Sequence, residues 1–596
     1  MKNKVNLKKV SDVVAEVLIE EKVSHVFAIS GGASLHLIHS LADNENIQYV
    51  CNHNEQAAAM AADGYSRVSG NIGVALTTSG PGATNLITGI CCSYYDSVPS
   101  LFITGQVSTF RMKGDTGVRQ IGFQETPIVD VVKSITKYAY TINHPSEIKY
   151  QIQKALHIAR SGRPGPVLID IPDDLQRVNI ESSLLKNFQP DIEQEKGKLT
   201  DTILNIMSMI KKSKRPVIIA GWGIHLSKTQ SDFIKFAEDL NLPIALTWGA
   251  ADLISFDHEL YIGTFGTHGN RHANFAVQNA DLIISFGSRL DTKSTGSPVN
   301  TFARKAKRIM VEIDINELNK FKKFDLKFDK LIHCDLKDFF DEVQKINIQK
   351  FFNKHDDWVN QINQWQEAFN AFDDRKNLST TQVNPYNFVD RISDNLKENS
   401  KVFIDTGCSI AWFMQSIRTP KTVRVFHDFN NTAMGWALPA SIGGYYADLG
   451  KSPIITIVGD GGFMMTSYEL ATAMHNNIPL KIFIMNNQGY SMIQQTQDQW
   501  LDSNYYASSK QGGISFPDFQ KLSKAYNFKY FELKDDSDLH LVEEIFAYPK
   551  ALICNVFIDN DFRVTPQVKF GRPNEDMGPL LPREMFNANM IIDPIK

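Results

Sequence analysis

The chain has 596 residues, 43% of them hydrophobic and 21% charged, with 62 basic against 66 acidic side chains and a formal net charge of −4. That length exceeds a single hydrophobic core and implies several domains, and the near-even charge balance leaves no basic field for nucleic acid. Six cysteines (Cys51, Cys91, Cys92, Cys334, Cys408, Cys554) form no CxxC pair, which argues against a zinc site or disulfide framework, and no apolar run reaches the roughly 18 residues of a membrane span; the expected location is cytoplasmic.

In the first unit, residues 1–172, helix-like stretches at 11–20 and 55–69 alternate with apolar strands at 26–29, 73–77, 100–104 and 167–171. Such alternation predicts a mostly parallel α/β sheet. The polar stretch 173–198 reads as a linker. A central unit, 199–345, repeats the pattern with strands at 216–220, 282–286 and 308–313. A charged, aromatic-spotted second linker, 346–378, leads into a third unit, 379–560. The tail, 561–596, is rich in proline and charge, with apolar anchors at Phe562, Met577, Leu580 and Leu581; it reads as a cover over a site or as surface chain. The expected fold class is α/β, three consecutive open domains with mainly parallel six-stranded-type sheets.

The third unit carries the sharpest chemical signal. An apolar run at 454–458 ends in Gly459-Asp460-Gly461, and a second, 480–485, ends in Asn486-Asn487-Gln488-Gly489. Glycines permit a sharp turn at a strand end. Asp460 supplies a hard carboxylate oxygen, Asn487 an amide oxygen and the following turn a carbonyl, a donor set suited to Mg²⁺. Two parallel strands ending side by side would unite these groups at the carboxyl edge, where open α/β sheets bind ligands. The bland alternative is a pair of unrelated strand-end turns.

The first unit adds Glu55, in His53-Asn54-Glu55-Gln56-Ala57-Ala58, and the turn Gly80-Pro81-Gly82-Ala83-Thr84-Asn85. Alone, Glu55 is a favourable charge in a helix's first turn. Together with the cation cradle, these segments resemble the thiamine-diphosphate-dependent decarboxylase and carboligase superfamily over about residues 5–560, above all its acetohydroxyacid (acetolactate) synthase branch. The resemblance implies a thiamine-diphosphate-binding fold, a homodimer as minimum active unit and a homotetramer as the usual assembly. The cofactor would lie between the first domain of one subunit and the third of another. Glu55 would bond the aminopyrimidine and favour the tautomer that removes the thiazolium C2 proton, after which a 2-oxo acid is attacked and decarboxylated; burial would favour the protonated form of this glutamate. Asp460, Asn487 and the Gly489 carbonyl would hold Mg²⁺, with the N–H groups of Gly461 and Gly462 near the diphosphate. Met434 would support the bent cofactor, unless it is simple core packing. Pro81, Asn85, Thr406, Cys408, Ser409, Gly459, Tyr490 and Met492 would complete the cofactor's surroundings, with His427 in reach of the diphosphate. Ser30, Gly31 and Gly32 fall on the substrate side.

The loop at 114–125 ends in Phe123-Gln124-Glu125, and no adjacent histidine pair occurs anywhere in the chain. Simple decarboxylases of the superfamily use such a pair to protonate the carbanion. Its absence favours carboligation, with Phe123 and Gln124 lining the cavity; Arg119 and Gln120 read equally well as surface loop. Glu469 occurs in both kinds of relative and does not discriminate. Thr496 falls where amino-acid-synthesising enzymes place a tryptophan, Lys293 replaces an arginine that helps hold the acceptor carboxylate, and Thr267 replaces a methionine. Lysine keeps the charge but loses the bidentate fork. The resemblance implies a pyruvate donor, and these changes point to an acceptor larger or more polar than a small 2-oxo acid, a keto sugar among the candidates. FAD, bound by amino-acid-pathway synthases in the central domain, is left open: Gly221, Gly223, the turn from Gly266 to Gly269 and Arg289 suit it, whereas Trp222 and Lys293 do not. The alternatives are a simple 2-oxo-acid decarboxylase and a non-catalytic scaffold, the latter opposed by the retention of Glu55 and the metal donors.

Overall fold

The computed structural model describes residues 7–190, 199–369, 378 and 380–595. Three six-stranded sheets follow one another along the chain, and every pairing within them is parallel. Their inner strands are short apolar runs buried on both faces, as parallel sheets covered by helices require. In the first sheet the spatial order is Gln48–Cys51, His25–Ala28, Gly73–Thr77, Ser100–Gln106, Val167–Pro172 and Tyr138–Thr141. The central sheet runs Tyr261–Thr264, Ile244–Leu246, Pro216–Ala220, Leu282–Phe286, Lys307–Glu312, Lys330–His333. The third runs Arg424–Phe426, Lys401–Ile404, Ile454–Gly459, Lys481–Asn486, Leu552–Phe557, Lys529–Leu533. Among the described residues no helix is long and apolar enough to cross a membrane.

Both stretches expected as linkers are partly folded. Within 173–198, Asn179–Glu181 pairs antiparallel with Leu7–Lys9 and clips the two ends of the first unit together. Within 346–378, the helix Asp356–Ala368 buries Trp358, Ile362 and Trp365 in one apolar cluster with Phe275 of the central unit. Asparagine and glutamine on the outer face of that helix, with acidic residues at its ends, mask the apolar stripe in sequence. The linker residues 191–198 and 370–377 lie outside the described residues.

The tail is docked on the central unit. Arg271 donates to the carbonyls of Met577 (3.0 Å) and Pro579 (2.9 Å), Arg304 pairs with Glu575 at 2.7 Å, and Phe586 joins the cluster of Phe275 and Trp365.

The first and third units meet along two helices, Glu55–Ser69 and Ala437–Ala447. Alanines and glycines at the crossing let backbones touch: a Cβ on Gly64 would lie 2.2 Å from the Ala440 carbonyl oxygen, and one on Gly443 1.9 Å from that of Ala61. Beside the crossing Arg67 is buried between Asp63 (2.7 Å) and Asp96 (2.8 Å). Its Nη1 also donates to the His427 carbonyl at 2.9 Å. Burying a cation in this way is tolerable because each of its faces finds an acceptor.

Candidate functional site

The carboxyl edge of the first sheet gathers the first-unit candidates. Strand 48–51 leads through Asn54, whose side chain caps the next helix at Gln56 N, to Glu55 at the helix start. Strand 73–77 leads to Gly80, held at φ +62°, and on to Pro81 and Asn85. Asn85 Nδ2 donates to Glu55 Oε2 at 2.9 Å. Gln124, itself at φ +61°, lies against Gly80, where an added Cβ would sit 3.0 Å from Gln124 Cβ. Gly31 is pressed on the Thr78 side chain, which also accepts from Ala33 N, so the loop Ser30-Gly31-Gly32 stands beside the same turn. Phe123, expected in a cavity, is 85% exposed within its own chain. Glu125 is the loop's internal clasp: burial would raise its pKa, but the N–H groups of Ile121, Lys113 and Gly122 outweigh that and lower it. Arg119 is exposed, whereas Gln120 donates to the Glu125 carbonyl at 2.9 Å.

On the third sheet the central strands end at Asp460 and Asn487. Asp460 Oδ1 accepts from Gly461 N (2.7 Å) and Oδ2 from Gly489 N (3.3 Å). Burial pushes the Asp460 carboxyl up to about 7, against the pull of these and neighbouring N–H donors. One end of the Asn487 amide lies 2.8 Å from the Gly489 carbonyl oxygen and 3.3 Å from Asp460 Oδ2. With nitrogen at that end, the amide donates to both. With oxygen there, three acceptors face one another, an arrangement that only a cation makes favourable. Among the described residues no group of three or more His, Cys, Asp and Glu side chains could hold a metal; this set of one carboxylate, one amide and one carbonyl is of another composition.

Around the cradle the backbone is crowded. A Cβ on Gly461 would meet Tyr490 Cε1 at 2.3 Å and Met434 Cε at 3.0 Å, and one on Gly462 would meet Asp405 Oδ1 at 2.7 Å. Ser409 stands beside Gly459, with its Oγ 3.9 Å from where a Cβ there would be. Thr406 is half-buried on the turn after Ile404, and Met492 packs against the apolar cluster of the third unit. Cys408 belongs to that cluster, and burial raises its thiol to about 12. His427 turns away from the cradle: its Nε2 is 3.0 Å from the Trp248 carbonyl, and burial lowers its pKa to about 4.

The central sheet's edge opens on a cavity of about 180 Å³ lined by Trp222, Trp248, His268, Arg289, Lys293 and Glu312 among others. Lys293 Nζ sits 5.5 Å over the Trp248 ring. Gly221 and Gly223, expected to admit a ligand, instead admit the chain itself: added Cβ atoms would lie 2.2 and 2.8 Å from the backbone of Gly287. The tail joins this edge to the third unit. Val568 N donates to the Thr267 carbonyl (2.9 Å), while Gln495 donates to the Val564 carbonyl (2.9 Å) and to Gln567. Thr496 is half-buried on that same helix, Ser491–Trp500.

Residues that sequence reasoning passed over hold these edges in place. Asp405, buried and raised to about 6 by that burial, accepts from Gly435 N (3.0 Å) and Ala437 N (2.9 Å), fixing the turn behind Met434. Asn560 Nδ2 donates to the Asn487 carbonyl at 2.7 Å. Neither stands in a motif; only an aspartate directly after an apolar strand could have hinted at Asp405.

Comparison with known proteins gives a consistent result. Residues 8–131 match the family described as thiamine pyrophosphate enzyme, N-terminal TPP binding domain; residues 203–342 match its central domain and 405–556 its C-terminal TPP binding domain. The acetolactate synthase large subunit of Lactococcus lactis subsp. lactis (strain IL1403) is 32% identical over 570 residues, covering 95% of each chain. Acetolactate synthase 1, chloroplastic, of Nicotiana tabacum is 32% identical over 585 residues, 96% of this chain and 85% of that one. A probable acetolactate synthase large subunit of Methanococcus aeolicus is 32% identical over 575 residues, 93% and 92% of the two chains. Matched in all three domains and along nearly its whole length, the chain belongs to the thiamine-pyrophosphate enzymes, in their acetolactate-synthase-like branch.

Proposed function

We propose that this protein is a carboligase that decarboxylates pyruvate and transfers the two-carbon unit to a carbonyl acceptor, either a 2-oxo acid or a larger ketone such as a keto sugar. The observation that carries the reading is the convergence of Asp460 Oδ2, the Asn487 amide and the Gly489 carbonyl at the third sheet's edge. These groups would hold Mg²⁺ and, through it, a diphosphate. Thiamine diphosphate, when bound, supplies an electron sink next to the carbonyl of a 2-oxo acid and so permits loss of CO₂. Glu55 holds or moves a proton at Oε2, the atom now accepting from Asn85. Met434 and Tyr490 flank Gly461 and shape the wall beside the cradle.

The 118–124 loop supports a homodimer as the minimum active unit, with a tetramer as the larger assembly. It exposes Phe123 (85%), Ile121 (54%) and Val118 (47%), an apolar set that suits burial by a second copy. Carboligation rather than aldehyde release is supported by the lack of paired histidines on this loop. Thr496 and Lys293 support an acceptor other than a small 2-oxo acid. The glycines at 221 and 223 are accounted for by contact with Gly287, so they lend no weight to FAD; absorbance of the purified protein in the flavin band reads that question directly.

The test is incubation with pyruvate, thiamine diphosphate and Mg²⁺, alone and with candidate acceptors, followed by product mass analysis. Acceptor-dependent adducts heavier by a two-carbon unit are expected. Acetaldehyde as the main product would overturn carboligation, and efficient acetolactate formation with no gain from any acceptor would overturn the specialised acceptor.

A further inference from the structure

Glu469 is wholly buried, yet it faces the first unit rather than the cation cradle nine residues earlier in its own unit. Its Oε2 accepts from Asn52 Nδ2 at 2.9 Å, across 417 residues of sequence, and its Oε1 accepts from the His53 N–H at 2.8 Å. The Thr472 hydroxyl lies within 2.7 Å of the same Oε2 and 3.2 Å of the Cys51 carbonyl. The turn so gripped, 51–53, runs directly into the cap Asn54 and then Glu55. The grip is reciprocal. From the first unit, Asp96 accepts from Phe429 N (3.0 Å), Asn430 N (3.1 Å) and Asn430 Nδ2 (2.8 Å), on the segment that leads to Met434.

We propose that Glu469 is a positioning residue for Glu55, so that the third unit sets the station of the first unit's proton-handling carboxylate within the same chain. This rests on the reading of Glu55 given above. The carboxylate suits the task because it offers two acceptor oxygens to two donors that diverge from one turn, and burial leaves no water to replace it. The helix 55–69 is buried from Ala57 to Arg67 and so held by its packing, which leaves a shift at 52–53 to be taken up at Glu55. Displacements of about 1 Å at a reacting group can cost on the order of 100-fold.

The experiment compares Glu469→Ala, Glu469→Gln, Asn52→Ala and Glu55→Gln in the holoenzyme. The readouts are the exchange rate of the C2 proton of bound thiamine diphosphate into D₂O, kcat and the KM for pyruvate. Glu469→Ala is expected to slow C2 exchange and kcat together by about 10- to 100-fold with KM changed less than about threefold. Glu469→Gln should recover most of that loss, because the Asn52 amide can turn over to accept from the new NH₂ while the Gln oxygen keeps His53. Asn52→Ala severs one arm from the other side and should slow exchange by about 3- to 10-fold; it carries the test if Glu469→Ala does not fold. Wild-type exchange in both Glu469→Ala and Asn52→Ala would overturn the proposal, as would a Glu469→Gln variant as slow as the alanine. Exchange that persists in Glu55→Gln would instead overturn the role of Glu55 itself.

Discussion

Replacing Gly64 by alanine tests how tightly the first and third units are locked. The added Cβ would lie 2.2 Å from the Ala440 carbonyl oxygen and 2.6 Å from Ala440 Cα, where ordinary contact begins at 3.4 Å. The obstacle is backbone, so no side chain can swing away, and the helices must part by about 1 Å. Overpacking of this kind costs about 1–3 kcal/mol, and an obstacle made of three Ala440 backbone atoms within 2.7 Å places it at the upper end. Alanine's better helix propensity returns about 1 kcal/mol. The net destabilisation is therefore about 2 kcal/mol, which for a unit of this size lowers the thermal midpoint by roughly 4–8 °C. Scanning calorimetry of Gly64→Ala against Gly32→Ala makes the comparison, because nothing lies within 4 Å of a Cβ on Gly32. Gly32→Ala should stay within about 0.5 kcal/mol of wild type. A Gly64→Ala protein as stable as wild type would show that the crossing yields at little cost, and the backbone-contact argument would fail.

Glu55→Gln should lose turnover by about 10²- to 10⁴-fold, the usual range for a positioned acid or base, while its thermal midpoint stays near wild type; near-full kcat would refute the assignment. Burial raises Asp170 to about 7, against hydrogen bonds from Thr104, Gln106 and Thr141. Its folded pKa thus exceeds the unfolded one, so its stabilising contribution is complete below pH 4 and is lost as pH rises through 7. Wild type should lose stability between about pH 4 and 7 more steeply than Asp170→Asn, the difference approaching about 1.4 kcal/mol per pH unit within that window; parallel curves from urea titrations would contradict it. Thr496→Trp should shift products away from bulky acceptors toward acetolactate in competition assays, and an unchanged product ratio would remove Thr496 from the acceptor wall.

Much of the site was legible locally. Asp460, Asn487 and Gly489 follow apolar runs at strand ends, and a buried parallel strand leaves a mark in sequence because both of its faces are apolar. Glu55 and Asn85 were found as separate motifs, and the structure adds the hydrogen bond between them. The edge strands 48–51 and 138–141 escaped notice because one face is polar or aromatic. The helix 356–368 leaves a weak mark in sequence for a related reason: its two buried tryptophans sit among asparagines and glutamines, with acidic residues at the ends.

Sequence alone determined the fold class and the family and marked the strand-end turns here proposed as a cation cradle, because each depends on short-range patterns of apolar residues, glycine turns and donor types. Tertiary structure alone decided the rest. That Glu469 grips the turn before Glu55, that Asp96 holds the segment before Met434, and that His427 faces Trp248 are facts of contacts spanning 179 to 417 residues. A carboxylate's partner at such a distance leaves no periodicity to read; it exists only once two helices of small residues bring their backbones together.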